Sequence, residues 1–234
     1  MTHPHPSLTG KRLTTPRAAS IAGILFAVLF TASVVLLRIS LPTGPIDSET
    51  WRESGASQVK LALSLMPFAG IAFLWFVGVV RDRLGAFEDQ FFSTVFFGSG
   101  LLFLAMIFAA SAIAGGISAT YLAGQTELTT NEVYQFGRAM MSQFFTIYAL
   151  RMAGVFVISL GTIWLRTGLM PRWLSFVTYF FAIVLLLSAS LNLWMVLVFP
   201  SWVLIISIYI LMLNLKHHAP GTADGMTVSL EGED

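Results

Sequence analysis

The sequence contains no cysteine, and only 11% of its 234 residues are charged. The missing cysteines exclude disulfide bonds, thiolate metal ligands and cysteine nucleophiles. A soluble domain carries about 25% charged residues, so this chain has too little polar surface to stay dissolved. Because 56% of its residues are hydrophobic, the composition predicts an integral membrane protein with one membrane domain.

Acidic residues and histidines are missing from every long apolar run. The four histidines, His3, His5, His217 and His218, all lie near the ends of the chain. The net charge of +1 offers no strongly basic surface to nucleic acid. We therefore predict a protein that is not an enzyme, with no catalytic, cofactor-binding or metal site and no nucleic-acid partner. The lipid bilayer is its predicted partner.

The apolar runs predict six membrane-spanning helices. Since about 20 residues cross the hydrocarbon core, one helix is predicted in each of four runs, and two in the block 173–213. Those four runs are 21–37, 61–80, 91–114 and 142–165. The first run also fits a signal peptide, but no small-x-small cleavage site ends it, which favours an uncleaved helix. Within the long block we predict a turn at Ser188, Ser190 and Asn192, with Pro200 inside the sixth helix; a turn at Pro200 is the alternative.

The predicted fold is all-α, a polytopic helical membrane bundle with both termini in the cytoplasm. Lysine and arginine favour the cytoplasmic side of membrane proteins, and this orientation places eight of them inside and four outside. The inner set is Lys11, Arg12, Arg17, Arg81, Arg83, Arg166, Arg172 and Lys216. We predict a multi-pass protein of the cell (plasma) membrane, with a membrane domain over 19–215 between disordered cytoplasmic tails, 1–18 and 216–234.

The ends of the predicted spans have two local features. Thr129-x-x-Glu132 matches a capping box and predicts that the fourth helix begins near Thr130 and protrudes beyond the bilayer as an outer cap. Trp51, Trp164, Trp173 and Trp194 fall near the ends of predicted spans or in an outer loop, where tryptophan usually anchors a chain at the interface.

Arg151 is a lone charge inside the fourth predicted span. Insertion scales give a cost of about 2.5–3.5 kcal/mol for an arginine at the centre of a span, and arginine stays charged at any relevant pH. Such a residue needs a partner. Tyr148 lies one turn earlier on the same face and Ser159 two turns later, so Arg151, Tyr148 and Ser159 form the candidate intramembrane site.

Two interpretations of this site stay open. In the structural one, Arg151 hydrogen-bonds carbonyls and hydroxyls, with Thr162, Ser188 and Asn192 as further partners, and locks the bundle. In the functional one, Arg151 binds an anion, which is a lipid headgroup, a carboxylate or an acidic residue of a partner protein.

Small residues recur four positions apart late in the third predicted helix, as Ala110 and Ala114, Ser111 and Gly115, and Ala112 and Gly116. Such faces let membrane helices approach closely, either inside the bundle or between two copies. We therefore predict a non-catalytic membrane protein that binds another membrane protein or assembles with itself. The alternative is a small-anion or lipid carrier or binding protein with Arg151 as its intramembrane anchor.

The segment 165–174 reads Leu-Arg-Thr-Gly-Leu-Met-Pro-Arg-Trp-Leu. In it Gly168 suits the end of one helix and Pro171 the start of the next. The segment resembles a turn in several uncharacterised bacterial multi-pass membrane protein families of unknown function, in which Arg-(Ser/Thr)-Gly-x-x-Pro-Arg-Trp-Leu joins two late helices. The resemblance covers the last third of the chain. It implies an inner membrane turn and supplies no catalytic residues.

Overall fold

A computed structural model describes residues 15–40, 55–84, 90–122, 128–168, 170–187 and 193–216. Helices make up nearly all of these ranges. The α-helices are α1 Thr15–Ser40, α2 Ala56–Leu84, α3 Gln90–Leu122, α4 Leu128–Gln143, α5 Leu150–Thr167, α6 Arg172–Leu187 and α7 Val198–Lys216. A π-helical turn, Phe144–Ala149, joins α4 to α5 without a break, and a 3₁₀ segment, Leu193–Leu197, leads into α7.

Five described helical segments are long and apolar enough to cross a membrane. They are Ala18–Ser40, Ala56–Asp82, Phe91–Ala119, Tyr134–Thr167 and Trp194–Leu213. The prediction of an all-helical chain with several membrane-spanning helices is therefore confirmed. Helix α6 is also apolar but has 16 residues, fewer than the about 20 that a span needs, so the sixth span stays a prediction.

Within the last apolar block, α6 is described to Leu187 and the 3₁₀ segment from Leu193. The predicted turn at Ser188, Ser190 and Asn192 lies outside the described residues and stays a prediction. Pro200 is the third residue of α7, in the first helical turn, where proline is tolerated. The alternative turn at Pro200 is therefore wrong.

The turn from α5 to α6 forms as its sequence predicts. Gly168 ends α5 in the left-handed region, with φ 66°, and its N–H donates to the Trp164 carbonyl at 3.0 Å. Glycine adopts this conformation without the steric cost of a Cβ. The carbonyl of Pro171 then accepts the first hydrogen bond of α6, from the Leu174 N–H at 3.0 Å.

Helix α4 begins at Leu128, two residues before the predicted start, so Thr129 lies inside the helix rather than at its cap. It packs on the last turns of α3, where a Cβ at Gly137 would lie 2.9 Å from Ile117. The predicted tails, 1–18 and 216–234, lie mostly outside the described residues. Only their junctions with α1 and α7 are seen.

Seven buried aromatic side chains meet at the centre of the bundle, and we call them the aromatic core. They come from α1, α2, α3, α5 and α7 and are Phe26, Phe30, Phe73, Phe103, Phe156, Phe199 and Trp202, each at most 1% exposed. The Phe73 ring lies at centroid distances of 4.8 Å from Phe26, 5.4 Å from Phe103 and 5.5 Å from Phe156. Lipid tails are as apolar as these rings, so van der Waals packing rather than the hydrophobic effect holds the helices together here.

Helix α6 packs beside this core through polar contacts. The Trp202 indole N–H donates to the Thr178 hydroxyl at 3.3 Å. The Thr162 hydroxyl donates to the Ile158 carbonyl at 2.8 Å, so the Tyr179 hydroxyl, also at 2.8 Å, is the donor to Thr162. Hydrogen bonds of this kind between helices satisfy polar side chains where no water is present.

The prediction that Trp164 anchors a helix at the membrane interface is wrong. It is 3% exposed and stacks on Trp202 at 6.2 Å, so it belongs to the interior rather than to an interface belt. Trp173 and Trp194 are exposed, as expected of anchors, and Trp51, the fourth predicted anchor, lies outside the described residues.

Arginines mark the two ends of the bundle. At one end, called the Arg38 end, the Arg38 guanidinium lies 5.2 Å from the centre of the Trp194 ring. At the other, called the Arg166 end, Arg81 and Arg166 lie over Phe97 and Phe92 at 4.9 and 4.7 Å. These cation–π contacts keep the charges at the helix ends while their stems cover apolar surface.

Candidate functional site

Arg151 is the second residue of α5 and follows the π turn directly. It is partly exposed, and its Nη1 donates to the Ile147 carbonyl at 3.4 Å. A guanidinium has five N–H donors. Among the described residues, the Ile147 carbonyl is the acceptor that one of them reaches. This hydrogen bond runs to the same helix and is at the long limit for such a bond, so it does not join Arg151 to a second helix.

The other predicted members of the site take different partners. Tyr148 lies in the π turn, 54% exposed, with its ring 5.9 Å from that of Phe144. Ser159 is buried and donates to the Val155 carbonyl at 2.8 Å. Thr162 is engaged with Tyr179. The structure thus places Tyr148 at the same end of α5 as Arg151 and directs Ser159 elsewhere, while Ser188 and Asn192 fall outside the described residues.

The π turn is a feature of this site that the apolar pattern did not reveal. A single π turn inserts one residue into a helix and often occurs at functional sites. Because one residue corresponds to a rotation of about 100°, the turn changes which face Arg151 occupies relative to α4. The Ile147 carbonyl accepts both the Leu150 N–H and Arg151 Nη1. The π turn therefore helps to set the position of the guanidinium.

The described part of α6 packs on α5 beside Arg151. Helices α5 and α6 touch closely at two glycines: a Cβ at Gly161 would lie 3.1 Å from Thr178, and one at Gly154 would lie 2.7 Å from Leu186. Helix α6 ends at the next residue, Leu187. Arg151 lies three residues beyond Gly154, or about 4.5 Å further along the helix. The closest described contacts of α6 with α5 are therefore at Gly154 and Gly161, on the side of Arg151 that leads toward the Arg166 end.

A second arginine, Arg38, contacts the segment that leads into α7. Two pairs of rings join α5 and α7: Phe156 lies 5.8 Å from Phe199 and Trp164 lies 6.2 Å from Trp202. The 3₁₀ segment that carries Trp194 packs against both α1 and the π turn. Arg38 lies over Trp194, whereas Arg151 follows the π turn that this segment contacts. The sequence offered one signal for Arg38, namely that it directly follows an apolar run.

The described residues contain no cluster of metal ligands near this site, and the comparisons with known proteins found no match. Among the residues that the structure describes, no three His, Cys, Asp or Glu side chains are grouped to hold a metal ion. No protein-family model, no curated protein and no solved structure matches the chain.

Proposed function

We propose that this chain is a non-catalytic multi-pass protein of the plasma membrane that binds an anionic group at Arg151. The observation that carries the proposal is the partly exposed guanidinium of Arg151, whose one hydrogen bond to a described residue is 3.4 Å long and runs to its own helix. A permanent charge at membrane depth is costly without a partner. A phosphate or carboxylate partner can accept two parallel N–H bonds from the planar guanidinium.

The proposal includes the orientation of the bundle. The Arg166 end carries the exposed arginines Arg81, Arg166 and Arg172, and the positive-inside rule puts such an end in the cytoplasm. With α6 as the sixth span, both termini are then cytoplasmic and the Arg38 end faces outward. An anion reaches Arg151 from the outer leaflet or from the outer solution.

Replacing Arg151 by leucine is expected to abolish retention of an anionic adduct. We would mix the solubilised protein with phosphatidylglycerol or with phosphatidylcholine of the same acyl chains and record native mass spectra. The wild-type protein should retain the anionic lipid preferentially, and Arg151→Leu should lose that preference. Arg151→Lys keeps the charge but loses the planar guanidinium that donates two parallel hydrogen bonds, so it should weaken retention of the lipid about tenfold.

The matched control for this experiment is Arg172→Leu, which removes an exposed arginine at the Arg166 end. It should bind like the wild type. If Arg151→Leu stays folded and retains the same adduct as the wild type, Arg151 is not the anchor and the anion proposal fails.

A second function, self-assembly in the membrane, is supported by one face of α3. Along this face, successive residues are alternately four and three positions apart, and all but one are glycine or alanine. We call them the α3 seam: Gly98, Leu102, Ala105, Ala109, Ala112, Gly116 and Ala119, each exposed or half-buried. A Cβ at Gly98 or Gly116 would meet nothing within 4 Å. A heptad seam of small residues lets a second α3 approach closely, and two-fold symmetry brings the same face of two copies together.

The remaining small residues of α3 pack inside the bundle instead. Ala110 and Ala114 are fully buried and Ser111 nearly so. At Gly115 a Cβ would lie 3.4 Å from Leu63 of α2. Of the three small pairs noted in the sequence, only Ala112 and Gly116 therefore have both members exposed.

Gly116→Leu is expected to weaken self-association at least tenfold, because a leucine side chain keeps the two helices apart. Single-molecule photobleaching in liposomes, recorded over a range of protein densities, would measure the dimer fraction. Gly78→Leu is the control, since Gly78 is an exposed glycine of α2 with nothing within 4 Å of its Cβ position. A wild-type protein that is monomeric at all densities would contradict the assembly function and leave the anion proposal untouched.

A further inference from the structure

We infer that two copies of the chain also meet beyond the hydrocarbon layer, where one edge of α4 packs against the outer part of the partner's α2. The inference rests on the self-assembly proposed for the α3 seam and adds the residues that complete that interface. On α4 they are Glu132, Phe136 and Met140, and on α2 they are Lys60 and Ser64.

The outer part of α3 lies beyond the hydrocarbon layer of the membrane. The guanidinium carbon of Arg166 lies 4.7 Å from the centre of the Phe92 ring, so the first turn of α3 is close to one membrane surface. From Phe92 to Gly116 the helix rises about 36 Å, whereas the hydrocarbon layer is about 30 Å thick. Gly116 and the residues after it therefore face headgroups or water rather than lipid tails.

Helix α4 exposes two large apolar side chains beside this part of α3. A Cβ at Gly137 would lie 2.9 Å from Ile117 of α3, so the residues around Gly137 lie at the same height. Among them Phe136 is 68% exposed and Met140 37%. Exposed apolar groups of this size, next to a further apolar surface and outside the lipid tails, mark an interaction site.

Helices α3 and α4 are antiparallel. Gly137 contacts Ile117, and Phe156, which follows later in the same continuous helical segment, packs on Gly100, where a Cβ would lie 3.1 Å from its ring. In an antiparallel pair, a local two-fold axis relates the two helices. Residues at equal offsets from their mutual contact therefore fall on one side of the pair.

Phe136 and Met140 thus lie on the same side as the α3 seam. Phe136 precedes Gly137 by one residue, just as the seam residue Gly116 precedes Ile117. Met140 follows Phe136 by four residues, which is a rotation of about 40° around the helix. The seam and this edge of α4 form one continuous surface.

The outer part of α2 lies beside α3 in the same manner. A Cβ at Gly115 would lie 3.4 Å from Leu63, and one at Gly70 would lie 3.1 Å from Leu104. Later residues of α2 therefore contact earlier residues of α3, so these two helices are also antiparallel.

Ser64 and Lys60 lie on the seam's side of α2. Ser64 follows Leu63 by one residue, as the seam residue Gly116 follows Gly115. Lys60 lies one turn before Ser64 on the same face. Both side chains are exposed, so α2 provides the second edge of the surface.

A two-fold axis along the membrane normal places the two edges opposite each other. Gly115 and Ile117, which contact α2 and α4, are about 200° apart around α3, so α2 and α4 flank α3 on opposite sides. When two seams meet, the α4 edge of each copy therefore faces the partner's α2. Lys60 is three residues outward from the Gly115 contact. Phe136 is one residue outward from the Ile117 contact, so both lie at the height of Ser118.

Charge complementarity identifies the occupant of this surface as a second copy. Glu132 lies one turn outward from Phe136 and is exposed, so the partner's Lys60 faces both an aromatic ring and a carboxylate on α4. An ammonium group is attracted to each of them, and such pairs fix the register of an interface. Within one copy α3 separates the two helices, whereas the two-fold axis forms the contact twice.

Exchange of the two charges tests this contact. In the photobleaching assay, Glu132→Lys and Lys60→Glu should each lower the association constant of the dimer at least fivefold. The double variant should largely restore it, because the pair reforms with its signs reversed. Phe136→Ala should lower the constant at least tenfold. Phe180→Ala is the matched control, since it removes a ring of α6 that is 64% exposed, and it should change nothing.

The seam variant Gly116→Leu separates the inference from the proposed assembly. If Gly116→Leu prevents dimerisation, Phe136→Ala does not, and the double charge variant is no better than the single ones, the seam assembles the protein and the α4 contact is wrong. A wild-type protein that stays monomeric contradicts both, as does a dimer that neither variant disturbs.

Cross-linking locates the contact independently, because the chain has no cysteine of its own. Met140→Cys and Ser64→Cys, co-reconstituted as separate variants, should be joined across the dimer by a short bismaleimide. Met140→Cys with Gly78→Cys is the control, since Gly78 is exposed on the same helix but lies about 21 Å along it from Ser64. Equal yields from the two mixtures would overturn the inference.

Discussion

Phe73→Ala is expected to destabilise the bundle by about 3–5 kcal/mol, the range for deleting a buried phenylalanine side chain. Phe73 is 0% exposed and its ring pairs with rings from α1, α3, α5 and α7. Truncation leaves a cavity at the point where these helices meet. Because van der Waals contact rather than water exclusion holds membrane helices together, no other force replaces the contacts that are lost.

The matched control is Phe68→Ala, on the same helix and of the same chemistry. Phe68 is 61% exposed, so in the membrane its ring contacts lipid in both the folded and the unfolded bundle. Its truncation should change stability by less than about 0.5 kcal/mol. Reversible unfolding in mixed micelles, followed by tryptophan fluorescence, would compare the two variants. Equal effects would show that the aromatic core does not hold the helices together.

Gly23→Ala should destabilise the protein by about 1–3 kcal/mol, which is the usual cost of overpacking. A Cβ at Gly23 would overlap the Ser207 hydroxyl oxygen of α7 and lie 2.9 Å from Phe76 Cδ2 of α2. The Ser207 hydroxyl has no hydrogen-bond partner among the described residues. The close approach of α1 to α7 thus depends on the absence of a side chain at this position.

The double variant Gly23→Ala, Ser207→Ala identifies the cause. Removing the hydroxyl oxygen eliminates the worst contact but leaves Phe76 Cδ2 at 2.9 Å, so the double variant should recover part of the lost stability in the same unfolding assay. Gly78→Ala is the reference for the glycine change alone. With nothing near its Cβ position, it should stabilise α2 by about 0.5–1 kcal/mol through helix propensity. A double variant as unstable as Gly23→Ala would place the clash elsewhere.

The positions of the helices could be read from the sequence, whereas their packing faces could not. Apolar length locates a membrane helix without any tertiary information, and Gly168 and Pro171 act through local backbone chemistry. Phe68 and Phe73, however, look alike in the sequence although one faces outward and the other fills the core. A helix that is apolar on all sides has no amphipathic pattern to show which face is buried.

Only the charged member of the candidate site could be predicted from the sequence, because charged residues are rare in apolar runs. Arg151 stood out because it is a lone cation within an apolar run. Ser159 was grouped with it by helical spacing, but its hydroxyl bonds to the Val155 carbonyl. The π turn and the contact between Arg38 and Trp194 depend on segments far apart in the sequence or on an irregular helix, and neither leaves a periodic signal.

The 16 residues of α6 also affect the surrounding lipid. At 1.5 Å per residue this helix is about 24 Å long, several ångströms less than the hydrocarbon thickness of an average bilayer. Its row of exposed apolar residues, which includes Phe176, Phe180 and Ile183, faces away from the bundle. Lipids beside this row must shorten or disorder their chains to match it, which costs a fraction of a kcal/mol per ångström of mismatch. For the described length of α6, we therefore expect a preference for thin bilayers over thick, sterol-rich ones.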